Sequence, residues 1–241
     1  MHILVVGGSG HVGTLTLPLL ASHHTLRVFD LLPPANARLE YVHGSVCDPP
    51  ALAGAMGGID ALVYMAMGSH VPIGGDDWGR VESHSEAFDV SVKGVYLALH
   101  AAHRAGITHA VYTSSLSVYH ENGAGRYLSD EDLPPDSRHV YGFTKRLGEE
   151  VCLNACREWG MSVNVLRLYL PVPDDKWLAS SGKGEAALWT SASDTAGALE
   201  AALEYRGGFQ AFSVSGDFPQ AQMSLAKAKR LLGWEPTSLA R

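Results

Sequence analysis

Short apolar runs alternate with longer segments of helical period along this chain. Residues 3–6 are apolar throughout, which predicts a strand buried on both faces rather than one. Residues 12–20 carry a helical pattern. Pro18 lies near its middle and predicts a kink or an early break. Further strands are predicted at 26–29, 39–42, 61–66, 110–114 and Ser162–Leu168. Helices are predicted between them at 49–56, with proline at its start, at 82–104, ending at Gly106, and at 139–159, ending at Gly160. A helix at 193–205, a strand at 210–214 and a short helix at 225–232 follow. Residues 182–187 are small and polar and read as a mobile loop. Continuously apolar strands alternating with helices predict an α/β fold, a doubly wound parallel sheet covered on both faces. The chain reads as a single domain, 1–241. Its last elements are too few for an independent unit, so 170–192 and 207–241 are assigned to a small C-terminal substrate cap over the carboxyl ends of the strands.

Charge narrows the partners. The 241 residues carry a formal net charge of −7, and no Lys/Arg run reverses that locally. Sequence-independent binding to nucleic acid or to an anionic membrane is therefore not expected. The N-terminal residues form neither a basic region nor a long apolar one, and no apolar stretch reaches the roughly 20 residues that span a bilayer. Three cysteines, Cys47, Cys152 and Cys156, follow no framework spacing, which suits a reducing compartment. A cytoplasmic protein is expected. The 12 histidines are scattered without a ligand spacing, so no metal is expected.

The first strand runs into Gly7-Gly8-Ser9-Gly10-His11-Val12-Gly13. Glycines after a strand and before a helix let the backbone turn tightly against a pyrophosphate, and the helix N-terminus holds the anion. This is the context of a Rossmann-like dinucleotide site, with Gly7, Gly10, His11, Val12 and Gly13 as candidate contacts. Asp30 ends the second strand. A carboxylate there accepts hydrogen bonds from ribose hydroxyls and repels a 2′-phosphate, and the following Leu31-Leu32-Pro33-Pro34 offers no cation. NAD is favoured over NADP. Tyr141 and Lys145, in Tyr141-Gly142-Phe143-Thr144-Lys145, share one helix face. A nearby ammonium and an oxidised nicotinamide both favour phenolate, so Tyr141 can act as general base for alcohol oxidation or general acid for carbonyl reduction. Tyr112-Thr113-Ser114-Ser115 ends the fifth strand, beside the crevice where such sheets bind ligands.

Together the glycine loop, Asp30, Thr113-Ser114-Ser115-Leu116-Ser117-Val118-Tyr119 and the Tyr141 segment resemble the extended short-chain dehydrogenase/reductases, the NAD-dependent epimerase/dehydratase group. The resemblance continues in Leu166-Arg167-Leu168, Ser193-Asp194-Thr195-Ala196 and Leu232-Gly233-Trp234-Glu235-Pro236. It implies a catalytic trio of Ser115, Tyr141 and Lys145. It also implies cofactor contacts at Leu31, Ser45, Val46, Met65, Ala66 and Met67, besides the glycine loop, Asp30, Tyr141 and Lys145. Within the group the chain is most similar to the small uronate dehydrogenases, which oxidise the anomeric carbon of a hexuronate to a lactone. That similarity places Ser69, Ser115, Ser117 and Tyr141 against substrate. The chain departs from the group's pattern at Ser45, at Ser91, at Leu116 and Ser117, and at Leu170, and Lys176 is the one candidate to meet a uronate carboxylate.

The expected activity is NAD-dependent hydride transfer from a small hydroxylated substrate. Two alternatives remain: a sugar or nucleotide-sugar epimerase or dehydratase that reduces NAD only transiently, and a non-catalytic NAD-binding sensor. Relatives in this group pair through the two long helices, so a homodimer is expected.

Overall fold

The computed structural model describes residues 1–68, 81–180 and 187–237. Seven parallel strands form the central sheet, in the order β3-β2-β1-β4-β5-β6-β9. They are β1 (His2–Val6), β2 (Thr25–Asp30), β3 (Glu40–His43), β4 (Ala61–Tyr64), β5 (His109–Ser115), β6 (Ser162–Leu168) and β9 (Phe209–Val214). The order reverses between β1 and β4, which pair from Ile3↔Ala61 to Val6↔Tyr64. A reversal of this kind opens a crevice at the carboxyl ends of the strands.

The two faces of β1 show why its strands are apolar throughout. Successive side chains point to opposite faces. Leu4 and Val6 pack beneath α2 (Pro49–Ala55), α4 (Val95–Arg104) and α5 (Val140–Trp159), meeting Leu52, Leu99 and Cys152. Ile3 and Val5 pack on the other side beneath α1 (His11–Leu20), α7 (Ala192–Glu204) and α8 (Ala226–Leu232), meeting Leu17, Leu199 and Ala228. Each buried Leu, Ile or Val contributes about 1.5–3 kcal/mol of transfer free energy.

Several boundaries differ from the sequence reading by a residue or two, as helix and strand ends do. Pro18 does not break α1, which runs on to Leu20. The long helix at 82–104 contains a wider turn: α3 (Val81–Phe88) passes through a π-helical segment, Asp89–Gly94, into α4. Tyr64 Oη donates to the Val90 carbonyl at 2.6 Å and so caps one of that segment's carbonyls. Gly160 ends α5 at φ +66°, the left-handed stop expected of glycine.

The cap is smaller than 207–241 suggested. β9 pairs with β6 from Val163↔Phe209 to Leu168↔Val214 and is the edge strand of the main sheet. An apolar run of strand length reads the same in a cap and at a sheet edge, which is why pattern alone misplaced it. The residues above the strand ends are β7 (Pro171–Val172) paired with β8 (Thr190–Ser191), α6 (Asp174–Ser180), and a satellite apolar cluster of Leu116, Val118, Tyr119, Leu128, Tyr169 and Met223. Residues 234–237 fold back onto α7. Asp194, almost fully buried, accepts from Thr237 N at 3.1 Å and Oγ1 at 2.8 Å, and its carbonyl accepts from Trp234 Nε1 at 3.0 Å. Of the expected mobile stretch at 182–187, all but Ala187 lies outside the described residues. No helix among the described residues is long and apolar enough to cross a membrane.

Candidate active site

A cleft of about 1240 Å³ opens at the carboxyl ends of the strands, lined by the segments that follow β1 and β4. The phosphate loop forms its floor. Gly7 sits at φ +82°, and a Cβ there would lie 2.3 Å from the backbone of Ala66. Only glycine lets the loop pass this close to β4's extension. Gly10 precedes α1 and supplies no side-chain cap. The first N–H groups of the helix are thus left to whatever enters the cleft, which fits the diphosphate of a dinucleotide. Gly13 does not line the cleft; it is buried beneath the loop against Gly8.

Asp30 ends β2 at the cleft rim. Its Oδ2 accepts from Ser9 N at 3.0 Å and its Oδ1 from Leu32 N at 3.2 Å. Ser9 Oγ donates to the Leu32 carbonyl at 2.6 Å. The carboxylate therefore fixes the phosphate loop relative to the place where a ribose would lie. Leu31, Ser45, Val46, Met65, Ala66 and Met67 also line the cleft.

The hydroxyl cluster stands across from the loop. Ser115 ends β5, and its Oγ accepts from Ser117 N at 3.1 Å and contacts Ser117 Oγ at 3.0 Å. Ser117 Oγ in turn donates to Asn122 Oδ1 at 2.8 Å. Tyr141, in the first turn of α5, lines the cleft together with Ser115. Gly142 lets α5 approach the Ser115 turn: a Cβ there would lie 1.8 Å from the Ser117 carbonyl. Burial pushes the Tyr141 phenol above its usual value, and the Ser115 hydroxyl works against that. Lys145 is buried; its Nζ donates to the Thr113 carbonyl at 2.9 Å and stands 5.1 Å from the Tyr112 ring centroid. Burial lowers its pKa to about 8, with Glu149 the main opposing influence. The sequence reading expected the ammonium to lower the phenol's pKa. In the structure the ammonium is engaged by Thr113, and desolvation sets the phenol's direction.

Behind this cluster lies a buried ion pair the sequence reading missed. Arg167 Nε and Nη2 donate to Glu149 at 3.0 and 2.8 Å, a bidentate pair. Ser114 Oγ donates to Glu149 at 2.6 Å. Arg167 Nη1 reaches Tyr119 Oη at 2.5 Å and the Glu131 carbonyl at 3.0 Å. Glu149 lies one turn beyond Lys145, and Ser114 directly precedes Ser115, so the pair ties α5 to β5 and β6. An arginine between Leu166 and Leu168 in β6 was the available signal, because a buried charge needs a partner.

Ser69 lies outside the described residues. Lys176 does not line the cleft, and its Nζ stands 5.1 Å from the Trp189 ring centroid. Ser91 is buried in the π-helical segment. Among the described residues, no group of three or more His, Cys, Asp or Glu is placed to hold a metal.

Residues 3–172 match the model of the NAD dependent epimerase/dehydratase family. The chain belongs to this family. Family membership makes it an enzyme of the NAD-dependent, extended short-chain type. A 3 beta-hydroxysteroid dehydrogenase/Delta 5-->4-isomerase of Mycobacterium tuberculosis is 37% identical over 160 residues, 63% of this chain and 42% of that protein. An N-acetyl-alpha-D-glucosaminyl-diphospho-ditrans,octacis-undecaprenol 4-epimerase of Escherichia coli O157:H7 is 31% identical over 158 residues, 66% of this chain and 43% of that protein. The match thus spans less than half the length of these curated relatives. Among solved structures, a short-chain dehydrogenase/reductase superfamily protein of Agrobacterium tumefaciens with bound NAD superposes with a TM-score of 0.80 at 22% identity, covering 99% of this chain and 93% of that one. A mutated uronate dehydrogenase gives 0.78 at 21% identity, covering 98% and 82%. At these identities the structures establish the fold.

Proposed function

We propose that this enzyme transfers hydride from a hydroxyl-bearing carbon of a small substrate to NAD through Ser115, Tyr141 and Lys145. The observation that carries this reading is that Ser115, Tyr141 and Lys145 line the same cleft as the phosphate loop and Asp30. Bound there, NAD supplies the hydride acceptor. The Ser115 hydroxyl donates to the substrate oxygen and fixes its position. Tyr141 takes the hydroxyl proton. Burial holds the phenol protonated in the free protein, and a positive ring beside it acts in the opposite direction. Lys145, held by Thr113, keeps its ammonium next to this path below its pKa of about 8.

The lining favours an uncharged alcohol or sugar over a hexuronate. A uronate carboxylate needs a cation. Lys145 is the one Lys or Arg among the described lining residues, and the Thr113 carbonyl engages it. We extend the reading to a homodimer through α3, α4 and α5, where Phe88, Tyr96 and Phe143 reach solvent with 36–42% exposure although Phe88 and Phe143 pack on each other.

The test is a screen of neutral sugars, secondary alcohols and uronates with NAD and NADP, followed at the nicotinamide absorbance. Net NADH from a neutral substrate, lost in Tyr141→Phe, is the expected result. Conversion of a sugar without NADH accumulation would move the assignment to epimerisation. Turnover unaffected by Tyr141→Phe would overturn the mechanism.

A further inference from the structure

The phosphate loop and the substrate side of the cleft come from distant parts of the chain, and one side chain joins them. His11, the first residue of α1, places Nε2 2.8 Å from the carbonyl oxygen of Pro171, 160 positions away. A carbonyl only accepts, so Nε2 carries the proton and donates. Both residues line the cleft.

Pro171 follows a strained residue. Leu170 has φ +31°, where a side chain with a Cβ is disfavoured, and a residue before proline is restricted further. Such a conformation persists only where its surroundings hold it. On the near side, Tyr169 N donates to the Val214 carbonyl at 2.9 Å, and Thr190 N and Oγ1 donate to the Tyr169 carbonyl at 3.2 and 2.8 Å. On the far side, Pro171 is held by its pairing with Thr190 in the β7–β8 ladder and by His11. His11 is itself exposed, so water competes for its bond. A dinucleotide seated on the phosphate loop would cover that bond, and a hydrogen bond strengthens as water leaves.

We propose that His11 is a positioning residue that latches the strained turn at Leu170 and Pro171 to the phosphate loop, so that cofactor binding tightens the substrate side of the cleft. This rests on the reading of the cleft as an NAD site. Linkage is reciprocal: whatever orders the turn strengthens cofactor binding by the same factor.

Hydrogen exchange read by mass spectrometry, with and without NAD, tests the latch in the wild type, His11→Gln and His11→Phe. Glutamine keeps an N–H donor near the place of Nε2; phenylalanine keeps a ring without one. NAD is expected to slow exchange of the amides of Tyr169, Leu170, Val172, Thr190 and Ser191 about fivefold in the wild type and in His11→Gln, the worth of one hydrogen bond. His11→Phe is expected to show no such slowing and to lose no more than about fivefold in NAD affinity, the factor that reciprocity sets. The same NAD-dependent slowing in His11→Phe would overturn the latch. So would an NAD affinity reduced more than about tenfold in both variants, since His11 would then be a plain cofactor contact. A wild-type protein that binds no NAD would instead overturn the cofactor reading itself.

Discussion

Replacing Glu149 by glutamine removes the charge at the centre of the buried network and leaves the Arg167 guanidinium without the carboxylate it is hydrogen-bonded to. The two side chains are only 6% and 4% exposed, so solvent cannot substitute for the lost carboxylate. Glu149 accepts three hydrogen bonds, from Arg167 Nε, Arg167 Nη2 and Ser114 Oγ. Glutamine keeps one acceptor oxygen and turns the other into a donor facing a cation. Breaking a buried pair on one side costs about 3–5 kcal/mol. The retained acceptor puts this variant near the lower end. For a chain of this size each kcal/mol shifts Tm by about 2–4 °C, which gives a loss of about 6–12 °C in a thermal melt followed by circular dichroism. A Glu149→Leu, Arg167→Met double variant is expected to recover most of that loss, because an apolar pair carries no desolvation penalty. A single-variant loss below about 1 kcal/mol, the range of an exposed pair, would refute the buried-network reasoning.

The same variant has a kinetic consequence. Burial lowers Lys145 from 10.5 to about 8, and Glu149 is the first influence holding it up. Without Glu149 the ammonium is lost at lower pH. The alkaline limb of kcat/KM, which reports groups of the free enzyme, is expected to move acid-ward in Glu149→Gln. The sign for stability follows from the same shift. Between pH 8 and 10.5 the unfolded chain binds the proton that folded Lys145 has released, so this group's contribution to stability rises with pH across that window.

Tyr141→Phe is expected to lower kcat/KM by about 10²–10⁴-fold in a protein that still binds NAD, read by fluorescence quenching. Gly142→Ala places a Cβ 1.8 Å from the Ser117 carbonyl; it should push α5 off the Ser115 turn and abolish turnover in a protein that still binds NAD. Asp194→Ala removes the carboxylate that receives Thr237 and should cost about 2–3 kcal/mol in urea unfolding, the worth of hydrogen bonds to a buried charge. Light scattering is expected to give twice the 25.7 kDa chain mass, and Tyr96→Glu to halve it; a wild-type monomer would remove the dimer.

What could be read in the sequence was local, and what could not was set by contacts between distant residues. The phosphate loop was legible because glycine spacing, the preceding strand and the following helix are contiguous. Asp30 was legible because a carboxylate at a strand end has a fixed relation to that loop. Tyr141 and Lys145 were legible as a helix-face pair, yet their titration was not: the direction of the Tyr141 shift depends on burial beside β5, which spacing does not encode. The cap was overdrawn because Phe209–Val214 satisfies the strand pattern equally well at the sheet edge.

The missed contacts share a cause. Glu149 meets Arg167, Asp194 meets Thr237 and His11 meets Pro171 only after the sheet is assembled. Of these, Arg167 could have been found, because an arginine flanked by Leu166 and Leu168 in a predicted buried strand demands a buried acceptor. The demand names a need without naming the partner, and two more turns of α5 offered Glu150 as readily as Glu149. Helical phase decides between them. Glu149 lies on the face of Lys145, one turn on, and is buried, whereas Glu150 is exposed. The residue that anchors the arginine is therefore the one already committed to the catalytic face, and this explains how a charge buried for packing comes to bear on the proton held by Lys145.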